Sequence, residues 1–224
     1  MTNEQKTEFV QLMIDSDVLM FGSFVTKSGR NSPYFVNTGK YRTGRQIELL
    51  GRFYADAVIS AIGIEFDCMF GPAYKGIPLV TATACSLFSR HGIDKPYFFN
   101  RKEAKDHGEG GVLVGYQPKD GDKVVVIEDV ITAGAGLRAD LPVLMAAAKV
   151  SVTDMFISVD RCEVGMGGKT AVTEVKEELG IAVHPIVTVL DILDYLRGPS
   201  CTTQPQYAEY VPQMEKYMEQ YCVL

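Results

Sequence analysis

Residues 123–136 read KVVVIEDVITAGAG. Four apolar residues, Val124 to Ile127, run straight into two acids, Glu128 and Asp129, followed by Val130, Ile131 and a turn of small residues, Thr132, Ala133, Gly134, Ala135 and Gly136. That order predicts a buried strand whose end carries two carboxylates into a loop opening a helix. At a helix start the unpaired N–H groups and the dipole favour an anion, and glycine lets it come close. Ionised carboxylates do the opposite: they repel phosphate and accept hydrogen bonds from hydroxyls, or take a metal. A ribose 5-phosphate satisfies both halves, phosphate on the amides and hydroxyls on the acids. A small-residue turn alone is equally a plain connection; the adjacent acids favour the chemical reading.

Other segments carry chemistry of a matching kind. RKEAKDHGEGG (101–111) is polar, and from Lys95 to His107 the cations Lys95, Arg101, Lys102 and Lys105 outnumber Glu103 and Asp106, so that stretch is locally +2 on an acidic protein. Charge alone fits a solvated loop tip. Its place after a strand, with Gly108, Gly110 and Gly111 as hinge residues, fits a lid over an anionic substrate. GPAYKG (71–76) has the corners of a tight strand-to-helix turn, or of a loop whose amides and Lys75 hold an anion. Arg161, after another strand, is either half of a salt bridge or a planar fork for a carboxylate. EVGMGGKT (163–170) imitates a nucleotide P-loop, but Glu163 stands where that pattern requires glycine, so it reads as a turn. His91 and His184 lack partners at ligand spacing and read as structural.

Positioning these groups falls to alternating elements. A helix is expected over 4–20, two short strands within 23–37 around a Ser-Gly-Arg-Asn-Ser turn, and a helix over 45–61. Then follow strand DCMF, a helix over 77–90, strand PYFF, a polar loop over 100–111, strand 123–127 and a helix to about 148. SVTDMFISVD, a helix over 170–179 ended by Gly180, strand IAVHPIV and further helix complete the chain. Tyr210, Met214, Tyr217 and Tyr221 recur at helical spacing near the end. The pattern is α/β, with a mostly parallel sheet flanked by helices and one domain over 1–224. Ligands of such sheets bind beyond the carboxyl ends of the strands, here the loops 71–76, 100–111, 128–136 and 160–168. Asp129 is therefore expected open to solvent on the crevice floor.

Composition narrows the function classes. The chain has 224 residues, 46% apolar, with a net charge of −6 and pI near 5.1. That balance argues against a general nucleic-acid or membrane-surface binder. No apolar run reaches the roughly 18 residues of a membrane span, and the first residues lack a signal-peptide pattern. Five scattered cysteines without a CxxC pair indicate reduced thiols, hence a cytoplasmic setting.

Five segments together resemble the type I phosphoribosyltransferases, in particular the orotate phosphoribosyltransferases. VVVIEDVITAGAG is similar to their phosphoribosyl-pyrophosphate (PRPP) motif, FVTKSGRNSPYFVN to the orotate entry and GPAYKG to the pyrophosphate loop. FNRKEAKDHGEGG resembles the mobile catalytic loop, and DRCEVG the segment with an orotate-contacting arginine. Glu128 departs from the aspartate frequent in orotate-specific members. The resemblance implies a small N-terminal hood, mainly about 1–40, and transfer of phosphoribose from PRPP to orotate with Mg²⁺ held mainly through PRPP. It implies PRPP contacts from Lys27, Tyr74, Lys75, Arg101, Lys102, Lys105, His107 and the run Glu128, Asp129, Val130, Ile131, Thr132, Ala133, Gly134, Ala135 and Gly136. Orotate contacts are implied for Lys27, Tyr34, Phe35, Thr132 and Arg161, with Lys105 and Asp129 catalytic. It further implies a homodimer sharing the lid between subunits, with PRPP and orotate as partners and neither nucleic acid nor membrane.

Overall fold

A computed structural model describes residues 1–26, 29–105, 111–131, 134–165, 167–199, 201 and 205–223, except the side chains at 104, 105 and 205. The chain begins with helix α1 (Asn3–Asp15), whose Thr2 and Gln5 form a reciprocal capping box. It ends earlier than its apolar spacing suggests. Ser16 closes it and Asp17 takes a φ of 55°, which turns the chain into β1 (Leu19–Val25). Val18 and Leu19 are buried as that strand's entry, so their apolar signal belongs to the hairpin and not to the helix. β1 pairs antiparallel with β2 (Asn31–Val36) in a separate two-stranded sheet.

α2 (Gly44–Ile62), β3 (Cys68–Gly71), α3 (Gly76–His91), β4 (Tyr97–Lys105), β5 (Gly111–Gly115) and β6 (Lys123–Ile127) follow. After them come α4 (Ala135–Ala147), β7 (Ser151–Asp160), α5 (Ala171–Leu179), β8 (Ala182–Thr188), α6 (Val189–Arg197) and α7 (Val211–Tyr221). The large sheet has the order β5-β4-β3-β6-β7-β8 and is parallel except for β5. The loop expected over 100–111 is corrected at both ends. β4 carries the polar residues Asn100 to Lys105, and Phe99 and Asn100 pair with Val114 and Leu113 of β5. An edge hairpin tolerates such polarity because half of its surface faces water.

Alternation along the inner strands divides the core. Met69, Val125, Ile127 and Phe156 join one apolar cluster with Phe9, Tyr54, Leu87, Ile192 and Met214, from α1, α2, α3, α6 and α7. Their neighbours Cys68, Phe70, Val124, Val126 and Ile157 face a second cluster containing Leu137 and Leu144 of α4 and Val175 of α5. Consequently the connection leaving β3 turns to one face, toward α3, and that leaving the adjacent β6 turns to the other, toward α4. Two neighbouring parallel strands whose loops part in this way open a crevice at their carboxyl ends. All five cysteines are free thiols.

Close packing of α2 on α3 depends on Gly51, where an added Cβ would lie 2.5 Å from the Ala82 carbonyl oxygen and 2.8 Å from its Cβ. Alanine would favour the helix by about 1 kcal/mol, but a backbone contact that short forces the helices apart. Gly51→Ala is expected to lower unfolding stability by a net 1–3 kcal/mol, on the order of other overpacked cores. Urea unfolding of both proteins checks this, and an unchanged midpoint would contradict the packing argument.

Candidate functional site

Glu128 and Asp129 emerge at the end of β6, on the floor of the crevice, and backbone bonds set them there. The Glu128 N–H donates to Phe156 O at 3.0 Å and Ser158 N–H to Asp129 O at 2.8 Å, so β7 holds both. From α2, the buried Tyr54 hydroxyl donates to Glu128 O at 2.6 Å and lies 2.8 Å from Ser158 Oγ. The two acids then diverge. Glu128 Oε1 accepts from the Asp129 N–H at 2.8 Å. Asp129 Oδ1 accepts from the Val130 N–H, and Oδ2 accepts from Thr38 Oγ1 at 2.5 Å and Lys75 Nζ at 2.8 Å.

These partners separate the acids chemically. Burial pushes the Glu128 carboxyl up to about 8, and the negative charge of Asp129 adds to this, against the opposing N–H bond. Asp129 is also desolvated, but hydrogen bonds from Lys75 and Thr38, and the lysine's charge, outweigh that and hold it below its usual range. Near neutrality the pair is thus one carboxylic acid beside one carboxylate. The expectation of an open Asp129 is not met: the residue is only 6% exposed. Lys75, more than half exposed, lies over it and supplies the missing counter-charge.

The loop Pro72–Lys75 forms the facing wall. Its first glycine is required by crowding, since a Cβ on Gly71 would lie 2.4 Å from Gly76 O. The Ala73–Tyr74 peptide bond is cis, and Tyr74 is 70% exposed. Asn100, buried at the point where β4 becomes polar, accepts the Ala73 N–H at 2.8 Å and donates to Asp140 of α4 at 3.0 Å. One carboxamide therefore ties the 72–75 loop, the base of the 101–111 segment and α4 together. Lys102 interacts with Asp140 through its charge, and Arg101 donates to Gly111 O at 3.1 Å.

On the other wall, Gly134 stands at a φ of 64° and leads into α4. A Cβ there would meet Arg138 and Val175 at 2.7 and 2.8 Å, so both its conformation and its surroundings require glycine. Ala135 and Gly136 open the helix, whose start has no side-chain cap, and Gly136 lines a small hollow of about 50 Å³ together with Pro72, Glu128, Val130 and Ile131. A larger hollow of about 680 Å³ runs between α1 and α2 and touches none of these residues.

Arg161 lies past the end of β7. Its guanidinium carbon is 4.4 Å from the centre of the Tyr34 ring. Nε and Nη2 both reach Glu163 Oε1, at 2.7 and 2.6 Å, and Nη2 is 3.2 Å from Ser32 Oγ. Tyr34 is fully buried under this guanidinium and supports Arg161 from below. Phe35 remains partly exposed and stacks on Phe24 at 5.5 Å. In the P-loop-like turn, Lys169 pairs with Glu177. Lys27, His107, Gly108, Gly110, Thr132 and Ala133, and the Lys105 side chain, lie outside the described residues. Thr38, Asn100 and Asp140 were not singled out from sequence, while Glu163 was read only as the residue that spoils a P-loop and Tyr217 only as part of a helical repeat. Thr38 acts across the chain, with a separation of 91 from Asp129, and so do Asn100 and Tyr217, so they leave no local pattern.

Comparison with known proteins places this geometry in context. The family model described as a phosphoribosyl transferase domain matches residues 37–177. A protein of Lachnoclostridium phytofermentans named orotate phosphoribosyltransferase is 47% identical over 221 residues, 98% of each chain. One of the same name from Shigella dysenteriae is 45% identical, covering 96% of this chain and 97% of that one. A crystal structure of orotate phosphoribosyltransferase from Francisella tularensis superposes with a TM-score of 0.81 at 31% identity, covering 96% of both chains.

The unequal acids give a pH prediction. Glu128 binds its proton more tightly when folded than at its ordinary value of 4.5, so its contribution to stability is whole below that value and is lost as pH rises toward about 8. Asp129, held low, acts in the opposite sense and only below its ordinary 3.8, outside that window. Glu128→Gln is therefore expected to remove part of the loss of stability between pH 5 and 8, seen as converging thermal midpoints at low pH and a more stable variant at high pH. Parallel midpoint curves for the two proteins would contradict the protonated assignment.

Proposed function

The chain belongs to the phosphoribosyl transferase family, and from that premise we propose that it transfers phosphoribose from PRPP to orotate, giving orotidine 5′-monophosphate and pyrophosphate in pyrimidine nucleotide synthesis. The observation that carries this reading is the pairing of a buried carboxylate at the end of β6 with the open amides of α4, across a crevice from a lysine-bearing loop. PRPP has the complementary order: a 5-phosphate, vicinal hydroxyls and a pyrophosphate.

In this mechanism the amides from Val130 to Gly136 take the 5-phosphate. Asp129 and Glu128 hold the ribose hydroxyls. Lys75 and Tyr74, with Arg101, Lys102, Lys105 and His107, surround the pyrophosphate. Lys27, Phe35, Thr132 and Arg161 position orotate, the arginine by its carboxylate. A ring nitrogen of orotate bonds to C1 of the ribose as the C1–oxygen bond breaks and its electron pair leaves with pyrophosphate. Cations that neutralise this leaving group contribute most where water is excluded. The 101–111 segment serves as the lid, and in a homodimer part of it reaches the neighbouring subunit's site.

Among the described residues, no cluster of three His, Cys, Asp or Glu side chains could hold a metal. The crevice offers two acids, one whose carboxyl burial pushes up and the other already bonded to Thr38 and Lys75. That donor set fits Mg²⁺ carried mainly by substrate oxygens and water, with Glu128 and Asp129 the residues near it. When bound, Mg²⁺ supplies neutralisation of pyrophosphate charge.

Loss of orotate absorbance is expected only when PRPP and Mg²⁺ are both present, and a chelator is expected to stop it. If orotate persists while another base is consumed, the substrate assignment fails. Lys105→Ala is expected to lower kcat by about 100-fold or more, as for loss of a leaving-group cation, with an unchanged thermal midpoint. Equal turnover in steady-state assays would remove that lysine from the mechanism.

A further inference from the structure

Arg161 does not stand alone. The carboxylate that grips it, Glu163, is itself held from the far end of the chain. Tyr217, on α7, donates its hydroxyl to Glu163 Oε1 at 2.7 Å and lies 3.4 Å from Arg161 Nη2. Burial and this bond together push the Tyr217 phenol up to about 12, so it remains a donor. Its ring meets Tyr34 edge-on at 6.1 Å, so the hydroxyl is fixed by packing as well. Arg30 from the hood reaches Glu163 Oε2 at 3.5 Å and donates to Val164 O at 2.8 Å.

The backbone is clasped in the same place. Val164 N–H donates to Tyr221 O, Val223 N–H donates to Cys162 O, and Glu163 pairs with Cys222 as an isolated antiparallel bridge. Segment 161–164 is thus stapled to the end of α7 on both sides of Glu163.

Two features decide what this arrangement does. Arg161 Nε and Nη2 converge on one oxygen of Glu163, which engages one edge of the fork; among the described residues, no hydrogen bond is recorded to Nη1. Arg161 shares its glutamate with Arg30, so Glu163 does not by itself neutralise both cations. A carboxylate that fixes one edge of a guanidinium presents the other edge in a single orientation, as bidentate recognition requires.

We propose that Glu163 and Tyr217 are positioning residues for Arg161, through which the C-terminal helix α7 sets the site's preference for a base bearing a carboxylate. The inference rests on the reading of Arg161 as the group that receives orotate's carboxylate. Orotidine 5′-monophosphate and uridine 5′-monophosphate differ only in that carboxylate and share the phosphate and ribose, so comparing their affinities isolates it.

The test is calorimetric binding of both nucleotides to the full chain, wild type and Tyr217→Phe, with Arg161→Ala as reference. Tyr217→Phe removes one hydroxyl and no charge. It is expected to raise the Kd of orotidine 5′-monophosphate about tenfold, the order of a lost charge-assisted bond. The Kd of uridine 5′-monophosphate and the KM for PRPP should change less than about twofold. If the phenylalanine variant has a lowered thermal midpoint, Glu163→Gln carries the same comparison. An equal change for both nucleotides would make Tyr217 merely structural, and an unchanged preference in both variants would overturn the proposal. A wild type that already fails to distinguish the nucleotides, or an Arg161→Ala protein that retains the preference, would instead remove the underlying reading of Arg161.

Discussion

A carboxylate taken out of water at the end of a buried strand must be answered by a cation or by hydrogen-bond donors, or it will hold a proton. Glu128 and Asp129 show both outcomes one residue apart. Asp129 is answered by Lys75, Thr38 and a backbone amide and stays charged; Glu128 is answered by one amide and keeps its proton. Because Thr38 follows the hood hairpin and Lys75 follows β3, the charge on Asp129 joins the N-terminal segment, the β3 loop and the β6 end at one point. The crevice is in this sense organised around a single ionised oxygen pair.

The parting of the β3 and β6 loops makes that possible. Were α3 and α4 on the same face, their helix starts would compete for one space, and no crevice would separate Lys75 from the amides of α4. Asn100 bridges the gap that results. With one side chain it satisfies a loop N–H and a half-buried aspartate on the opposite helix, so the two walls are not independent of the strand that carries the cationic segment.

What was legible in the sequence follows the range of the forces involved. Strands 123–127 and 151–160 match residue for residue because apolar residues gathered within a short span are a local signal, and Gly180 in the left-handed region ends α5 where expected. β5 and the polar half of β4 were not legible, since an edge hairpin uses cross-strand bonds that composition does not record. The end of α1 was hidden because Val18 and Leu19 suit a buried helix face as well as a strand entry. In the site, the acids, the glycines and Arg161 declared themselves by type and spacing. Their distant partners did not: Thr38, Asn100 and Tyr217 are ordinary residues whose contacts arise only when the chain folds them together.

Two cations at opposite ends of the site share one design. Lys75 rests on Asp129, and Arg161 rests on Glu163. A bare cation facing an apolar or half-buried crevice would be costly, while one fully sealed by its partner could recognise nothing. Lys75 meets this by remaining more than half exposed on a flexible stem, so that it can exchange partners when an anion arrives and release Asp129 to hydroxyls. Arg161 meets it differently, with a rigid fork that Glu163 holds along one edge. A flexible cation can give up one partner for another, while a rigid fork holds a fixed orientation. That division of labour follows from the chemistry of lysine and arginine and from where the fold has placed each.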